Sequence, residues 1–354
     1  MKFNEKYDVF WLIGGGIGNI IESLYSIEYC LMQNLKVGIL IESCPESFYK
    51  YIKLCYGHII INLEDLKTIN FKTRVLIHSW LFLSEHKIDY DSYFYINPDS
   101  IATQYNSETE MYLSVVKALF PSDYYSNTLK LLLEEKPQKI IKSEIVNKFV
   151  LYPGCSANDP SRRWPHYLTL IKMLGENNSI IIGGKDDLDF SMSYVYPNLI
   201  SKIMPQQVLN RKNFWSICKK LGFLKKHSHL NAINQNLYSY FDYFSWREMC
   251  YIFKNSIGFV GNDGGLSHFA AASGSKGVVI FGPTSSNKSR PFNKNMVTLS
   301  LNYDCQPCLF MKKSIFLYKS VGFINCPYNV KCMNNIGANE IIDKLYEQLN
   351  YKTV

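Results

Sequence analysis

The sequence predicts an α/β chain of two domains, each a mostly parallel sheet covered by helices. Three observations carry this reading. Short apolar runs of strand length alternate with segments of helical periodicity. Two glycine-rich turns, at Gly14–Asn19 and Gly261–Gly265, each join an apolar run to a helix-like segment. The 354 residues suffice for two ordinary domains, and 47% apolar content can fill their cores.

In chain order, Val9 to Ile13 read as a strand and Gly14 to Asn19 as a loop. Ile20, Leu24, Ile27 and Leu31 mark the buried stripe of a helix. Val37 to Ile41 is the second strand; Ile59 to Ile61, Val75 to Ile77 and Tyr93 to Ile96 are further strands. Glu108 to Leu119 is helical. The charged stretch Leu131 to Asn147 reads as the link between domains. Phe149 to Tyr152 opens a second sheet, followed by a turn at Pro153, a helix from Tyr167 to Gly175 and a strand from Ser179 to Ile182. Residues 197–236 are lysine-rich and read as an insertion, with Trp215, Cys218 and Leu221 on one helix face. Phe241 to Lys254 is a helix. Ile257 to Val260 is a strand, Leu266 to Ser273 a helix stopped by Gly274, and Val278 to Phe281 the next strand. Ile341, Leu345 and Leu349 mark a closing helix. The expected divisions are 1–145, 146–335 and 336–354.

A net charge of +8 and pI of about 8.8 favour an anionic partner. The positive charge comes in scattered pairs, without a basic stripe interleaved with aromatics, so nucleic acid is not expected. No apolar run approaches the roughly 20 residues that span a bilayer, and the start lacks a signal-peptide pattern. A cytoplasmic protein is expected, peripheral contact with the inner membrane remaining compatible. The 26 tyrosines and 21 phenylalanines suit sugar or lipid contact. His78 and His86 stay unassigned, since a lone histidine is more often structural than catalytic.

Two turns carry candidate chemistry. Gly264 and Gly265 precede a helix whose first amides lack intrahelical partners, a geometry that accepts a phosphate. On physics alone an ordinary glycine turn fits equally well. The Gly14, Gly16, Asn19 loop approaches a dinucleotide-binding fingerprint, with Glu42 ending the next strand where a ribose-binding acid would stand. Its third glycine is replaced by Asn19, so an NAD-dependent enzyme stays an alternative. Ten cysteines without an export pattern argue for reduced thiols. Six are scattered. Cys305, Cys308, Cys326 and Cys332 cluster, one pair as C-x-x-C, which suits a tetrahedral metal, a redox pair or simple thiols.

The stretch GNDGGLSHFAAASGSKGVVIFGPT, residues 261–284, resembles the donor-site signature of the family 9 glycosyltransferases, the ADP-heptose heptosyltransferases. The resemblance runs from Ile13 to Met333 and implies a GT-B fold, two Rossmann-like domains facing a central cleft. It departs at Gly264, where the family has Thr or Ser. Asp263, Gly264, Gly265, Leu266 and His268 are then expected at the donor. The loop with Gly15, Gly16 and Gly18 resembles the family's acceptor-side loop, whose following acid is replaced here by Asn19. An amide cannot take a proton at neutral pH. Glu22, one turn on, is the alternative base, with Asn19 as acceptor positioner; Glu22 reads equally as a solvated helix residue.

Ser161 to Pro165 resembles the family's basic segment, so Arg162 is expected to offset charge on the leaving diphosphate. Asp187, or else Asp186, is expected at the donor ribose. The four clustered cysteines resemble the iron-holding segment of the autotransporter heptosyltransferases, implying structural iron or zinc and no organic cofactor. The implied function is inverting transfer of a sugar, a heptose by resemblance, from an ADP-sugar to lipopolysaccharide core or a protein hydroxyl, with a homo-oligomer compatible. A homologue with weakened catalysis is the alternative.

Overall fold

The structure is a computed structural model. It describes residues 4–42, 44–61, 70–79, 88–96, 107–124, 126–137, 142–155, 160–184, 187, 230–232, 237–241, 243–308 and 326–351. Most of the expected insertion, with Trp215, Cys218 and Leu221, lies outside these residues, as do Asp186 and His86. By contacts the chain divides into two units. Unit 1 holds 1–135, 268–274 and 287–294; unit 2 holds 136–267, 275–286 and 295–354. The division falls upstream of the expected 145/146.

Unit 1 is built on a parallel sheet, β1 (Asn4–Ile13), β2 (Val37–Ile41), β3 (Asn70–Ser79) and β4 (Asp89–Ile96), in the order β2-β1-β3-β4. β1 is central, so its residues Val9 to Ile13 are buried on both faces. That is why it reads as a continuous apolar run. The helices are α1 (Ile17–Leu31), α2 (Glu46–Tyr56) and α3 (Glu108–Leu119). Trp11 meets Tyr112 of α3 edge-on, ring centroids 5.9 Å apart. Ile59 to Ile61 form only an isolated bridge, Ile39 to Ile60, rather than the expected strand. α2 was not anticipated: its aromatics Phe48, Tyr51 and Tyr56 are buried at helical spacing, but its start at Pro45 is a weak signal.

Glu28 of α1 is 2% exposed. Its carboxylate accepts from the Tyr56 hydroxyl at 2.6 Å and from the Lys130 and Leu131 amides at 2.8 and 2.9 Å. A buried acid that satisfies two backbone amides and a phenol is structural. It pins the chain at Lys130 to the helix.

Unit 2 is built on β5 (Phe149–Tyr152), β6 (Ser179–Gly183), β7 (Leu230–Ala232), β8 (Leu237–Phe241), β9 (Gly258–Asn262), β10 (Gly277–Ile280) and β11 (Met296–Leu299). The order is β11-β10-β9-β5-β6-β8-β7, parallel except for β7 against β8. The main helices of unit 2 are α4 (Tyr167–Leu174), α5 (Trp246–Lys254), the first three residues of α6 (Gly265–Ala272) and the closing α7 (Ala338–Leu349). Phe241 ends a strand instead of starting α5. α5 begins with a capping box in which Ser245 and Glu248 satisfy each other's amides. α7 is not a separate appendage: Ile341 and Leu345 join Leu151, Trp164, Val260 and Ile280 in one core. The Trp164 indole donates to the Ile336 carbonyl at 2.9 Å. Each unit thus has the parallel, helix-covered sheet of a Rossmann-like domain. Among the described residues no helix is long and apolar enough to cross a membrane.

Replacing Glu28 by alanine strands two amides and a phenol in the core. It should cost about 3–5 kcal/mol of unit 1 stability in chemical denaturation. A loss below about 1 kcal/mol contradicts the structural role.

Candidate functional site

In unit 2 the critical turn follows β9. Asn262 was expected to leave the strand; it is the strand's last residue and fully buried. Its amide donates to the carbonyls of Pro153 at 2.8 Å and Gly154 at 3.0 Å. Its oxygen accepts from the Trp164 amide and the Tyr167 hydroxyl, both at 3.2 Å. The Tyr167 hydroxyl proton is shared, lying nearer the Tyr152 carbonyl at 2.9 Å, so three bonds of the Asn262 side chain are its own and the fourth is divided. One residue therefore ties the turn after β5 and the chain before α4 to the end of β9.

Asp263 and Gly264 form the short turn into α6. Asp263 is 3% exposed. Its Oδ2 accepts from Arg162 Nη1 at 3.0 Å and from Thr284 Oγ1 at 2.7 Å. Arg162, the expected cation for a leaving group, is thus fixed by the acid at the turn. A Cβ on Gly264 would lie 3.3 Å from the ring and hydroxyl of Tyr152, a close contact that a shift of a few tenths of an ångström would relieve. Gly265 begins α6, whose dipole faces this turn; the Ser267 amide turns back on the Gly264 carbonyl at 3.0 Å. Leu266 is buried.

Asp187 was expected at a donor ribose. Its oxygens accept from the Cys155 amide at 3.2 Å and the Gly184 amide at 2.9 Å, and Arg163 stands 3.9 Å away. A Cβ on Gly154 would meet the carboxylate at 2.2 Å, so Gly154 is bare to let Asp187 in. The acid closes the turns around it. Beside it, burial pushes the Cys155 thiol up to about 11, opposed by Arg163.

In unit 1 the glycine loop is anchored by the Gly14 amide on the Ser79 carbonyl at 3.1 Å. Gly15 takes φ +90°, a conformation that side chains rarely adopt. Gly16 caps α1, and its amide donates to Asn19 Oδ1 at 2.9 Å. The Asn19 amide reaches Glu108 Oε2 at 3.5 Å, and Lys288 lies 3.6 Å from the same carboxylate. Asn19 is half-buried, its oxygen used within the loop and its amide reaching Glu108. An aspartate here would face a second, buried carboxylate.

Of the two readings of Glu22, the solvated helix residue does not hold. It is 3% exposed, with Oε1 3.8 Å from His268 Nδ1. His268 is itself 6% exposed. A Cβ on Gly18 would stand 3.2 Å from His268 Cδ2 and 3.5 Å from Nε2, so Gly18 makes room for the imidazole. The ring is held between a buried carboxylate and the glycine loop. His268 groups by contacts with unit 1, whereas Asp263, Gly264 and Gly265 group with unit 2.

Cys305, Cys308, Cys326 and Cys332 all line one cavity in unit 2, with Tyr328 and Lys331. Burial first, then the other three thiols, pushes the Cys332 thiol up to about 11. Among the described residues, no three potential ligands are yet close enough to hold a metal ion. The donor type fits iron or zinc; the spacing would have to tighten on binding.

Asn262, Tyr152, Thr284 and the Glu108–Lys288 pair were not assigned from the sequence. Asn262 and Thr284 were inside the recognised stretch and could have been. Glu108, in the first turn after the Ser107 cap, looks like any acid that complements a helix dipole.

Residues 244–319 match the family model described as glycosyltransferase family 9 (heptosyltransferase). No curated protein matches the chain in sequence. Among solved structures, a family 9 glycosyltransferase from Veillonella parvula is 14% identical with TM-score 0.60, covering 100% of this chain and 99% of that one. ADP-heptose LPS heptosyltransferase II from E. coli is 12% identical with TM-score 0.55, covering 99% of each. TibC from enterotoxigenic E. coli, described as an iron-containing dodecameric glycosyltransferase, is 13% identical with TM-score 0.54, covering 100% of this chain and 78% of that one. TibC is also solved with ADP-D-beta-D-heptose, at TM-score 0.53, 13% identity, and coverage of 99% and 78%. The fold is therefore that of these glycosyltransferases.

Replacing Asn262 by alanine leaves two buried carbonyls and an amide without partners. It should cost about 2–4 kcal/mol in unit 2 unfolding. Unchanged stability would remove Asn262 from its place as the tie between the three segments.

Proposed function

We propose that the chain is an inverting glycosyltransferase that uses an ADP-sugar, ADP-heptose in the first instance. One observation carries the reading: Arg162, Asp263 and Thr284 are locked together at the turn where α6 presents its free amides. The family match over residues 244–319 covers this same turn. The ADP-heptose complex of TibC, a protein of the same fold, supports the donor class.

In this reading the amides after Asp263 hold the diphosphate, with Gly264 and Gly265 letting it approach. The Tyr152 hydroxyl, beside Gly264, supplies a hydrogen bond in place of the Thr or Ser hydroxyl that the family carries there. Arg162, already oriented by Asp263, offsets the charge that builds on the departing ADP. The donor carbon inverts as the acceptor hydroxyl attacks, and that hydroxyl's proton must go to a base.

Glu22 and His268 together are that base. His268 takes the proton on the ring nitrogen beside Gly18, and Glu22 steadies the imidazolium from the other nitrogen. The acceptor is a lipopolysaccharide core sugar or a protein hydroxyl. Work at the cytoplasmic face of the inner membrane and a homo-oligomeric state fit the reading; TibC is described as a dodecamer. Cys305, Cys308, Cys326 and Cys332 would bind structural iron or zinc, which fastens the segment after β11 and takes no part in transfer.

Two measurements test this. With Glu22→Gln or His268→Gln, turnover of ADP-heptose should fall by about 100-fold or more, with ADP binding kept within about threefold. Unchanged turnover in both variants rejects the pair as base. Elemental analysis of protein purified without added metal should find about one equivalent of iron plus zinc, lost in Cys305→Ser/Cys308→Ser. Less than about a tenth of an equivalent ends the metal assignment.

A further inference from the structure

Thr284, whose hydroxyl donates to Asp263 Oδ2 at 2.7 Å, stands on the turn after β10. The same oxygen receives Arg162 Nη1 at 3.0 Å. β10 ends at Ile280, and the Phe281 amide still reaches across to the Leu299 carbonyl at 2.8 Å. Beyond it, the carbonyls of Gly282 and Pro283 are taken by the C-x-x-C segment. The Gln306 side-chain amide donates to the Gly282 carbonyl at 2.5 Å, and the Cys308 backbone amide donates to the Pro283 carbonyl at 2.7 Å. Gln306 is itself held. Its oxygen accepts from the Tyr303 amide at 2.7 Å, and its amide also reaches Ser300 Oγ at 3.2 Å. A Cβ on Gly282 would collide with Met333 Sδ and stand 3.4 Å from Cys332 Sγ, so the turn lies close against this segment. Pro283 and Gln306 line the cysteine cavity together with Ser161, the chain neighbour of Arg162. All of these residues belong to unit 2.

The order of the links matters. A threonine hydroxyl is one bond from Cβ, so the backbone decides where it points. Here the backbone leading to Thr284 is a glycine, which is conformationally permissive, and a proline, which has no N–H to be held by. The carbonyls are the handles that remain, and Gln306 takes the one at the permissive residue. Thr284 in turn shares with Arg162 the one Asp263 oxygen. A cation that stabilises developing charge works only when it is placed beforehand, and small displacements from afar are costly.

We propose that Gln306 is a positioning residue of the donor site, acting through Gly282 and Thr284 on Asp263 and Arg162. This rests on the donor reading of the turn after β9. It adds that the grip on the diphosphate is set in part from the cysteine segment, by a residue outside the turn itself.

The test is calorimetry of ADP binding to the full chain, with variants compared at equal iron plus zinc content. Gln306→Met keeps the length of the side chain and removes its donor. Thr284→Val keeps the shape and removes the hydroxyl. Each should weaken ADP binding about 5–20-fold. Because one residue acts through the other, the double variant should bind within about twofold of the weaker single variant. Ser300→Ala removes the other acceptor of the Gln306 amide and should stay within about twofold of wild type. Wild-type affinity in Gln306→Met, losses that multiply in the double variant, or an equal loss in Ser300→Ala overturns the proposal. Should Gln306→Met not fold, Gln306→Glu, which keeps the bond from the Tyr303 amide, is read in the same way. A wild-type chain that binds ADP while the two losses multiply loses only this inference; one that does not bind ADP loses the donor reading with it.

Discussion

The structure of the candidate donor turn depends on one fully satisfied amide. Asn262 gives both amide hydrogens to buried carbonyls, accepts the Trp164 amide, and shares the Tyr167 hydroxyl with the Tyr152 carbonyl. Because a buried polar group is costly when unpaired, the arrangement is close to all-or-none. It fixes where β9 ends, and so where Asp263 turns and where α6 begins. Asp263 then fixes Arg162 and Thr284 by the same kind of saturation. The chemistry proposed for the turn is electrostatic, and electrostatic stabilisation works only when donors and cations are placed beforehand.

Unit 1 shows the complementary device. There an amide, Asn19, stands between the glycine loop and the buried carboxylate of Glu108. An acid at position 19 would set two carboxylates against each other, so the amide is the residue that this neighbourhood accepts. In the proposed mechanism the proton-handling role falls to a carboxylate and an imidazole that lie together, Glu22 and His268, 3.8 Å apart. Gly18 enables this by leaving no side chain under the ring.

Much of the fold was legible because parallel strands buried on both faces read as unbroken apolar runs. β2, α3 and β5 fall on their predicted residues for that reason or because of clean helical spacing. Ile59 to Ile61 and the start of α5 do not. Ile59 to Ile61 had the composition of a strand but only one bridging partner. Phe241 was taken into a helix because apolar residues on either side of Ser245 run together without an obvious break. The sites were legible as residues and not as partnerships. Arg162 and Asp263 are 101 positions apart in sequence, and nothing in either segment names the other. The same holds for Glu22 with His268, and for Asp187, whose carboxylate satisfies amides of its own unit. Sequence spacing reports which chemistry is available; tertiary contact decides which pairs share it.

The central claim is that the start of α6 grips the diphosphate of the donor nucleotide. A structure solved with bound ADP tests it most directly. The account predicts phosphate oxygens within hydrogen-bond distance of the amides of Gly264, Gly265 and Leu266, with the Arg162 guanidinium beside them. ADP seated instead on the Gly14–Gly18 loop, with the turn after β9 empty, would contradict it.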